Sequence, residues 1–294
     1  MTSTEQGTLA GRANGFLDRI ATLPRYRQVE LLRRLRQPSA PERWIVRHRD
    51  DPGAAVRLFC FSHAGGGAAV FRSWPADIPR TVEVWGVQLP GRESRIGEPP
   101  YLRMAPLTAA LVEAIGPHLD KPFVFFGHSM GALVAFELAR ELRRSSLPQP
   151  ARLFLAAFRA PQVPSPNVKI YHWPDEVLKV VLQRDGTPEE VLQNDELMRA
   201  LLPTLRADLE VCDTYEYTPK APLDCPFSVF GGLGDVRVRA SDLPGWRIHT
   251  RSTCSVSMLP GTHFFLHSAR QRLLAEVRDD LEKDGMLQRG YQRD

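Results

Sequence analysis

Cysteine is scarce in this chain of 294 residues: Cys60, Cys212, Cys225 and Cys254 are all there is. None falls in a Cys-x-x-Cys pair or at Cys/His ligand spacing, which argues against a zinc site or a disulfide framework. Long apolar runs are missing too, and none approaches the roughly 20 residues needed to span a bilayer. The first residues, Thr2 to Gly7, are polar and lack the apolar stretch of a signal peptide. A cytoplasmic, reducing setting without membrane contact is expected. No glycine-rich run ends in Gly-Lys-Ser/Thr, so there is no P-loop, and no dinucleotide fingerprint or internal repeat is visible. Most of the length also lacks an excess of either charge. Formal net charge is +4, while residues 1–50 alone carry ten arginines against five acidic residues. The basic character belongs to this N-terminal segment, and without a recognition motif no nucleic-acid partner is expected.

What the chain does have is apolar content, 43% of residues, enough for one large α/β domain. Residues 14–37 read as a basic helix that Pro38 and Pro41 end. The expected division is an N-terminal extension over 1–43 and a domain over 44–294. From Trp44 onward, short apolar runs predict strands at 56–61, 82–87, 123–126, 153–158 and 227–230, with a weaker one at 255–259. Helical patterns at 104–119 and 131–142 lie between them, and a last helix is expected over 268–282. Short apolar strands alternating with helices imply a mainly parallel central sheet covered on both faces. The rhythm breaks between 165 and 224, where three helical patterns (173–183, 188–193 and 195–215) follow one another without a strand. This stretch is longer than one crossover needs. It follows the carboxyl end of a strand, so it reads as a helical lid over the site.

The most informative segment is Phe123-Val124-Phe125-Phe126-Gly127-His128-Ser129-Met130-Gly131. An apolar strand runs into Gly-x-Ser-x-Gly, and an Ala/Leu-rich helix follows. That is the context of the nucleophile elbow of α/β-hydrolases. A serine hydroxyl needs a base within hydrogen-bond reach and an acid to orient the base. In that fold they follow in the order Ser, Asp/Glu, His. Beyond the lid the candidate bases are His249, His263 and His267. His263 is favoured, because Pro260-Gly261-Thr262-His263 forms a short loop between a strand and the last helix. The favoured acid is Asp235, at the end of Gly231-Gly232-Leu233-Gly234-Asp235 after a strand; Asp242 is the fallback. The lid carboxylates Asp208 and Asp213 are expected to face solvent. An oxyanion hole needs two donors. The N–H of Met130, directly after the serine, is one. Ala64 N–H, in Ser62-His63-Ala64-Gly65-Gly66-Gly67 after the first long strand, is the other.

Several motifs together resemble the type II thioesterases, the editing enzymes of polyketide and nonribosomal peptide assembly lines. They are Phe61-Ser62-His63-Ala64-Gly65-Gly66, Leu89-Pro90-Gly91-Arg92, Gly127-His128-Ser129-Met130-Gly131, Glu196-Leu197-Met198, Leu201-Leu202-Pro203-Thr204-Leu205-Arg206-Ala207-Asp208 and Pro260-Gly261-Thr262-His263-Phe264-Phe265. The resemblance spans about 44–285. It implies an α/β-hydrolase fold and a triad of Ser129, Asp235 and His263, with oxyanion donors Ala64 and Met130. It also implies hydrolysis of acyl thioesters on the phosphopantetheine arm of an acyl or peptidyl carrier protein. No cofactor of the enzyme's own, no metal and a monomer are expected. Two positions depart from the family's habit: Ser62 stands where relatives often have proline, and Gly234 where they often have a second acid. The Arg-rich N-terminus, together with Arg92 and Arg95, is expected to attract an acidic carrier.

Overall fold

The computed structural model describes residues 41–165, 168–184 and 189–288. The predicted helix over 14–37 and the extension over 1–43, Pro41–Arg43 apart, lie outside the described residues.

Seven strands form one sheet in the order β1-β3-β2-β4-β5-β6-β7. They are β1 Ile45–Arg49, β2 Val56–Phe61, β3 Val82–Val87, β4 Phe123–His128, β5 Leu153–Ala156, β6 Phe227–Gly232 and β7 Cys254–Leu259. Only β1 runs antiparallel to its neighbour; every other pairing is parallel. This is the expected α/β-hydrolase architecture, a mainly parallel sheet flanked by helices. The helices are α1 Met104–Ile115, α2 Met130–Arg144, α3 Asp175–Arg184, α4 Glu189–Leu192, α5 Asp195–Asp213, α6 Phe265–Ser268 and α7 Arg270–Lys283. None of the described helices is long and apolar enough to cross a membrane.

Strands β2, β3, β4 and β6 are buried along their whole length, as mainly apolar strands in a covered parallel sheet must be; the charged residues within them, Arg57 and Glu83, pair with each other at 2.8 Å. The period-2 alternation sorts their side chains between two cores. On one face Phe59, Phe61, Phe123 and Phe125 meet α1 and α2. On the other, Val56, Leu58, Cys60, Val124 and Phe126 meet Leu273, Leu274, Val277 and Leu281 of α7. The last predicted helix divides in two: His267 sits within the short α6, and α7 starts at Arg270. Strand β7 is half-exposed because it is the sheet's edge, and its apolar signal is correspondingly weak.

The strand order fixes where a site can form. The chain leaves β2 for β3 on one side, then returns to place β4 on the other. At such a switch point the loops after the two strands diverge and open a crevice at their carboxyl ends. The loop 62–67 and the turn at Ser129 therefore face one another. Between β5 and β6 lie α3, α4 and α5. Their apolar side chains Leu178, Leu192, Met198, Leu202 and Leu205 form a third, small core against which Ala64 packs.

Candidate active site

Ser129 sits between β4 and α2 with φ +54° and ψ −120°. A left-handed φ on a side-chain-bearing residue costs about 1–3 kcal/mol and persists only where the surroundings enforce it. Here the neighbours do. Ser129 N–H donates to Ala156 O at 2.8 Å. A Cβ on Gly127 would lie 2.2 Å from Gly131 O, and one on Gly131 would lie 2.1 Å from Phe61 O. Both glycines are required because backbone packs directly on backbone, and the result is a serine hydroxyl thrust out at the crevice.

Among the three candidate bases only His263 meets that hydroxyl. Ser129 Oγ lies 2.9 Å from His263 Nε2, and His263 Nδ1 lies 2.8 Å from Asp235 Oδ2. A carboxylate can only accept, so Nδ1 carries the proton and Nε2 is free to accept from the serine. His249 instead contacts Gln162 and packs on Phe136 and Trp246. Asp242, the fallback acid, accepts from Arg239 N–H at 3.1 Å and caps a short 3-10 turn.

Asp235 is held from two sides. Its Oδ1 accepts from the N–H groups of Arg237 at 2.8 Å and Val238 at 3.2 Å, leaving Oδ2 for the imidazole. Burial works to raise its pKa. The hydrogen bond and charge of His263, with the two backbone donors, outweigh burial and hold the carboxyl below its ordinary value.

A histidine that sequence reasoning passed over supports the loop. His128 is fully buried at the end of β4. Its Nε2 lies 2.8 Å from the carbonyl oxygen of His263. A carbonyl only accepts, so Nε2 carries hydrogen. Burial, then the nearby His263 and His63 rings, push its pKa well down and keep it neutral, although the bond to the His263 carbonyl works the other way. Its position inside Gly-His-Ser-Met-Gly was visible in the sequence, but nothing local shows that its partner lies 135 residues away.

The loop 62–67 is closed on itself. Ser62 Oγ donates to Gly66 O at 2.6 Å, and Gly66 N–H donates to His63 O at 2.9 Å. Gly65 takes φ +77°. The N–H of Ala64 finds no acceptor among the described residues. Met130 opens α2, where the first N–H groups have no partner inside the helix.

Two expectations about charge are overturned. Asp208 does not face solvent: it is 3% exposed and accepts a two-pronged bond from Arg92, at 2.7 and 2.8 Å. Arg92 and Arg95 are buried as well, so neither is available to attract a carrier. Arg95 lies over the Trp44 ring and pairs with Glu98. An isolated charge in either place would be costly, and pairing is what allows the burial. Asp213 is half-buried and accepts from Ile170 N–H at 3.0 Å.

The thioesterase domain family model matches residues 56–281. The chain belongs to the thioesterase family. It is accordingly a thioester hydrolase. This thioesterase is 42% identical to the linear gramicidin dehydrogenase LgrE of Brevibacillus parabrevis, over 83% of its own length and 94% of that protein. It is 41% identical to the gramicidin S biosynthesis protein GrsT of Aneurinibacillus migulanus, over 80% and 93%. Among solved structures, the type II thioesterase BorB from the borrelidin biosynthetic cluster aligns with a TM-score of 0.75 at 32% identity, covering 83% of this chain and 99% of that one. The first of these names speaks of a dehydrogenase, yet the thioesterase carries no dinucleotide fingerprint in its sequence. Among its described residues no group of three His, Cys, Asp or Glu could hold a metal ion.

Proposed function

We propose that this thioesterase removes acyl groups from the phosphopantetheine arm of acyl or peptidyl carrier proteins. Its role is then to clear stalled or aberrant chains from a polyketide or nonribosomal peptide assembly line. The observation that carries the reading is the unbroken hydrogen-bond chain Ser129–His263–Asp235 at the switch point of the sheet. Near full-length similarity to proteins named for gramicidin pathways supports the setting.

In this reading Ser129 Oγ attacks the thioester carbonyl as His263 Nε2 takes its proton. The carbonyl electrons move onto oxygen, and Ala64 N–H and Met130 N–H receive the oxyanion. The start of α2 adds the positive end of the helix dipole at the same place. When the tetrahedral species collapses, the C–S bond breaks. The pantetheine sulfur leaves, and His263 returns the proton to it. Water then attacks the acyl-serine, giving its proton to His263, and the carboxylic acid is released as the proton returns to Ser129. Asp235 holds the tautomer throughout and stabilises the imidazolium. Helices α3 to α5, within 165–224, act as the lid over this crevice. The only cofactor chemistry is the partner's phosphopantetheine arm.

Hydrolysis of a panel of acyl-carrier proteins, acyl-pantetheines and nitrophenyl esters tests the reading. Broad cleavage of carrier-bound thioesters, faster than of the free acyl-pantetheines, is expected. Rapid ester cleavage with indifference to carrier thioesters would make the enzyme an esterase on small acyl esters. Cyclised or full-length product released from one carrier alone would make it a chain-releasing thioesterase.

A further inference from the structure

The Arg92–Asp208 pair is buried, and a buried ion pair is a weak source of stability, because desolvation of both ions offsets most of their attraction. Its hydrogen bonds suggest another use. Asp208 Oδ2 accepts from Gly65 N–H at 2.7 Å as well as from Arg92. Arg92 Nη1 in turn donates to Gly66 O at 3.0 Å. The pair thus grips the loop 62–67 at two points, one on each side of the Gly65–Gly66 peptide. Gly65 N–H belongs to the same rigid plane as the carbonyl of Ala64. The Ala64 N–H lies in the plane before it, whose His63 carbonyl accepts from Gly66 N–H; with both planes held, it has little freedom to turn.

All of this is delivered by one face of α5. Thr204 donates its hydroxyl hydrogen to Gly91 O, next to Arg92. Leu205 packs beside Gly65, where a Cβ on the glycine would lie in ordinary contact, 3.4 Å from its Cδ1. Asp208, four residues after Thr204 and so on the same face, completes the contact. Ala64 itself packs on the small core that α5 shares with α3 and α4.

We propose that Asp208 is a positioning residue for acyl transfer. By accepting the Gly65 N–H, with Arg92 as its clamp, it aims the Ala64 N–H at the developing oxyanion. The oxyanion hole is then complete only while α5 is seated on the loop. This rests on the reading of Ser129 as nucleophile and Ala64 as donor given above.

Two double variants isolate the acceptor. Arg92→Met with Asp208→Leu removes both charges and the acceptor for Gly65 N–H. Arg92→Met with Asp208→Asn also removes both charges but keeps an acceptor. On hexanoyl-pantetheine the Leu double is expected to lose about 100-fold in kcat, the scale of one lost oxyanion donor, with KM within about threefold. The Asn double recovers at least about tenfold of that. Affinity for hexylboronic acid, whose adduct on Ser129 places an anionic oxygen in the hole, tracks kcat. Affinity for a non-cleavable hexyl-pantetheine thioether stays the same in both doubles.

Equal kcat in the two doubles, or boronic acid and thioether affinities falling together, would overturn the proposal. If the Leu double does not fold, Arg92→Lys decides the matter. It keeps the charge but loses the fork to Gly66 O and Asp208, so kcat should fall at least about tenfold at constant KM; unchanged kcat contradicts the proposal. Ser129→Ala separates the underlying reading. Boronic acid binding is lost there if Ser129 is the nucleophile. Undiminished binding and turnover would sink that reading, and this one with it.

Discussion

His128 holds the backbone of His263: its Nε2–H donates to the His263 carbonyl at 2.8 Å, from a ring with no exposure to water. The residue just before the serine therefore fixes the loop that carries the imidazole. His128→Phe fills the space but leaves that carbonyl without a donor. The expected cost is about 1–3 kcal/mol of stability and roughly tenfold in kcat, because the imidazole is less well aimed. His128→Gln, which keeps a donor, should lose less of both. Urea unfolding and turnover of the two variants check this.

Asp235→Asn should keep the fold and lower kcat by about 10⁴, the scale of the same change in a serine protease triad. The direction follows from the two backbone donors at Oδ1. They hold the amide oxygen on their side, so the amide NH₂ faces His263 Nδ1. The imidazole then carries its proton on Nε2 and cannot accept from Ser129. A circular dichroism spectrum and steady-state kinetics on one thioester suffice.

Stability should fall in mild acid. Burial, followed by positive neighbours His267, His263, Arg92 and Arg237, lowers His63 to about 3. Burial and Arg140 lower His249 to about 4, and His128 lies well below its ordinary value. The unfolded chain binds these protons near pH 6.5 and the folded chain does not. Stability is therefore full above that value and drains as pH falls below it, by at most about 1.4 kcal/mol per pH unit for each histidine. Asp235, whose pKa is lowered, adds stability that is lost only below its unfolded value, in a more acid window. Melting temperatures should be level from about pH 8 to 7 and decline progressively from about pH 6.5 to 5. A flat profile over that lower range would contradict the neutral buried histidines.

Glycine at 131 is a matter of space rather than freedom, since a Cβ would sit 2.1 Å from Phe61 O. Gly131→Ala must part β2 from α2 and should cost more than about 3 kcal/mol. Gly116→Ala is the control. Apart from its chain neighbours nothing lies within 4 Å of a Cβ there and its φ is −47°; Pro117 disfavours a Cβ in the helical region just before it, so the change should cost no more than about 1 kcal/mol. Chemical unfolding of both variants reads the difference.

The sheet was legible because buried parallel strands such as Phe123–Phe126 write themselves as short apolar runs. Ser129, Asp235 and His263 were legible because each lies just past a strand, in the order the fold imposes. Arg92, Arg95 and Asp208 were not. A charged residue reads as a surface residue unless its partner is known, and Asp208 pairs across 116 residues. The same holds for His128, whose hydrogen bond crosses 135 residues. Periodicity reports which face a residue occupies, not which distant group it meets there. The division between α6 and α7 escaped for a local reason: Ser268-Ala269-Arg270 has no proline or glycine, yet Ala269, at φ −115° and ψ 25°, breaks the helix.

The most direct test of the account is to look for the acyl-enzyme. Rapid quenching of the thioesterase with hexanoyl-pantetheine, followed by peptide mass spectrometry, should find the hexanoyl group on the peptide containing Ser129. It should accumulate in a variant with His263→Gln only slowly and be absent with Ser129→Ala, which should also fail to turn over. Hexanoate release at the normal rate by Ser129→Ala, or acyl transfer to a different residue, would contradict the account.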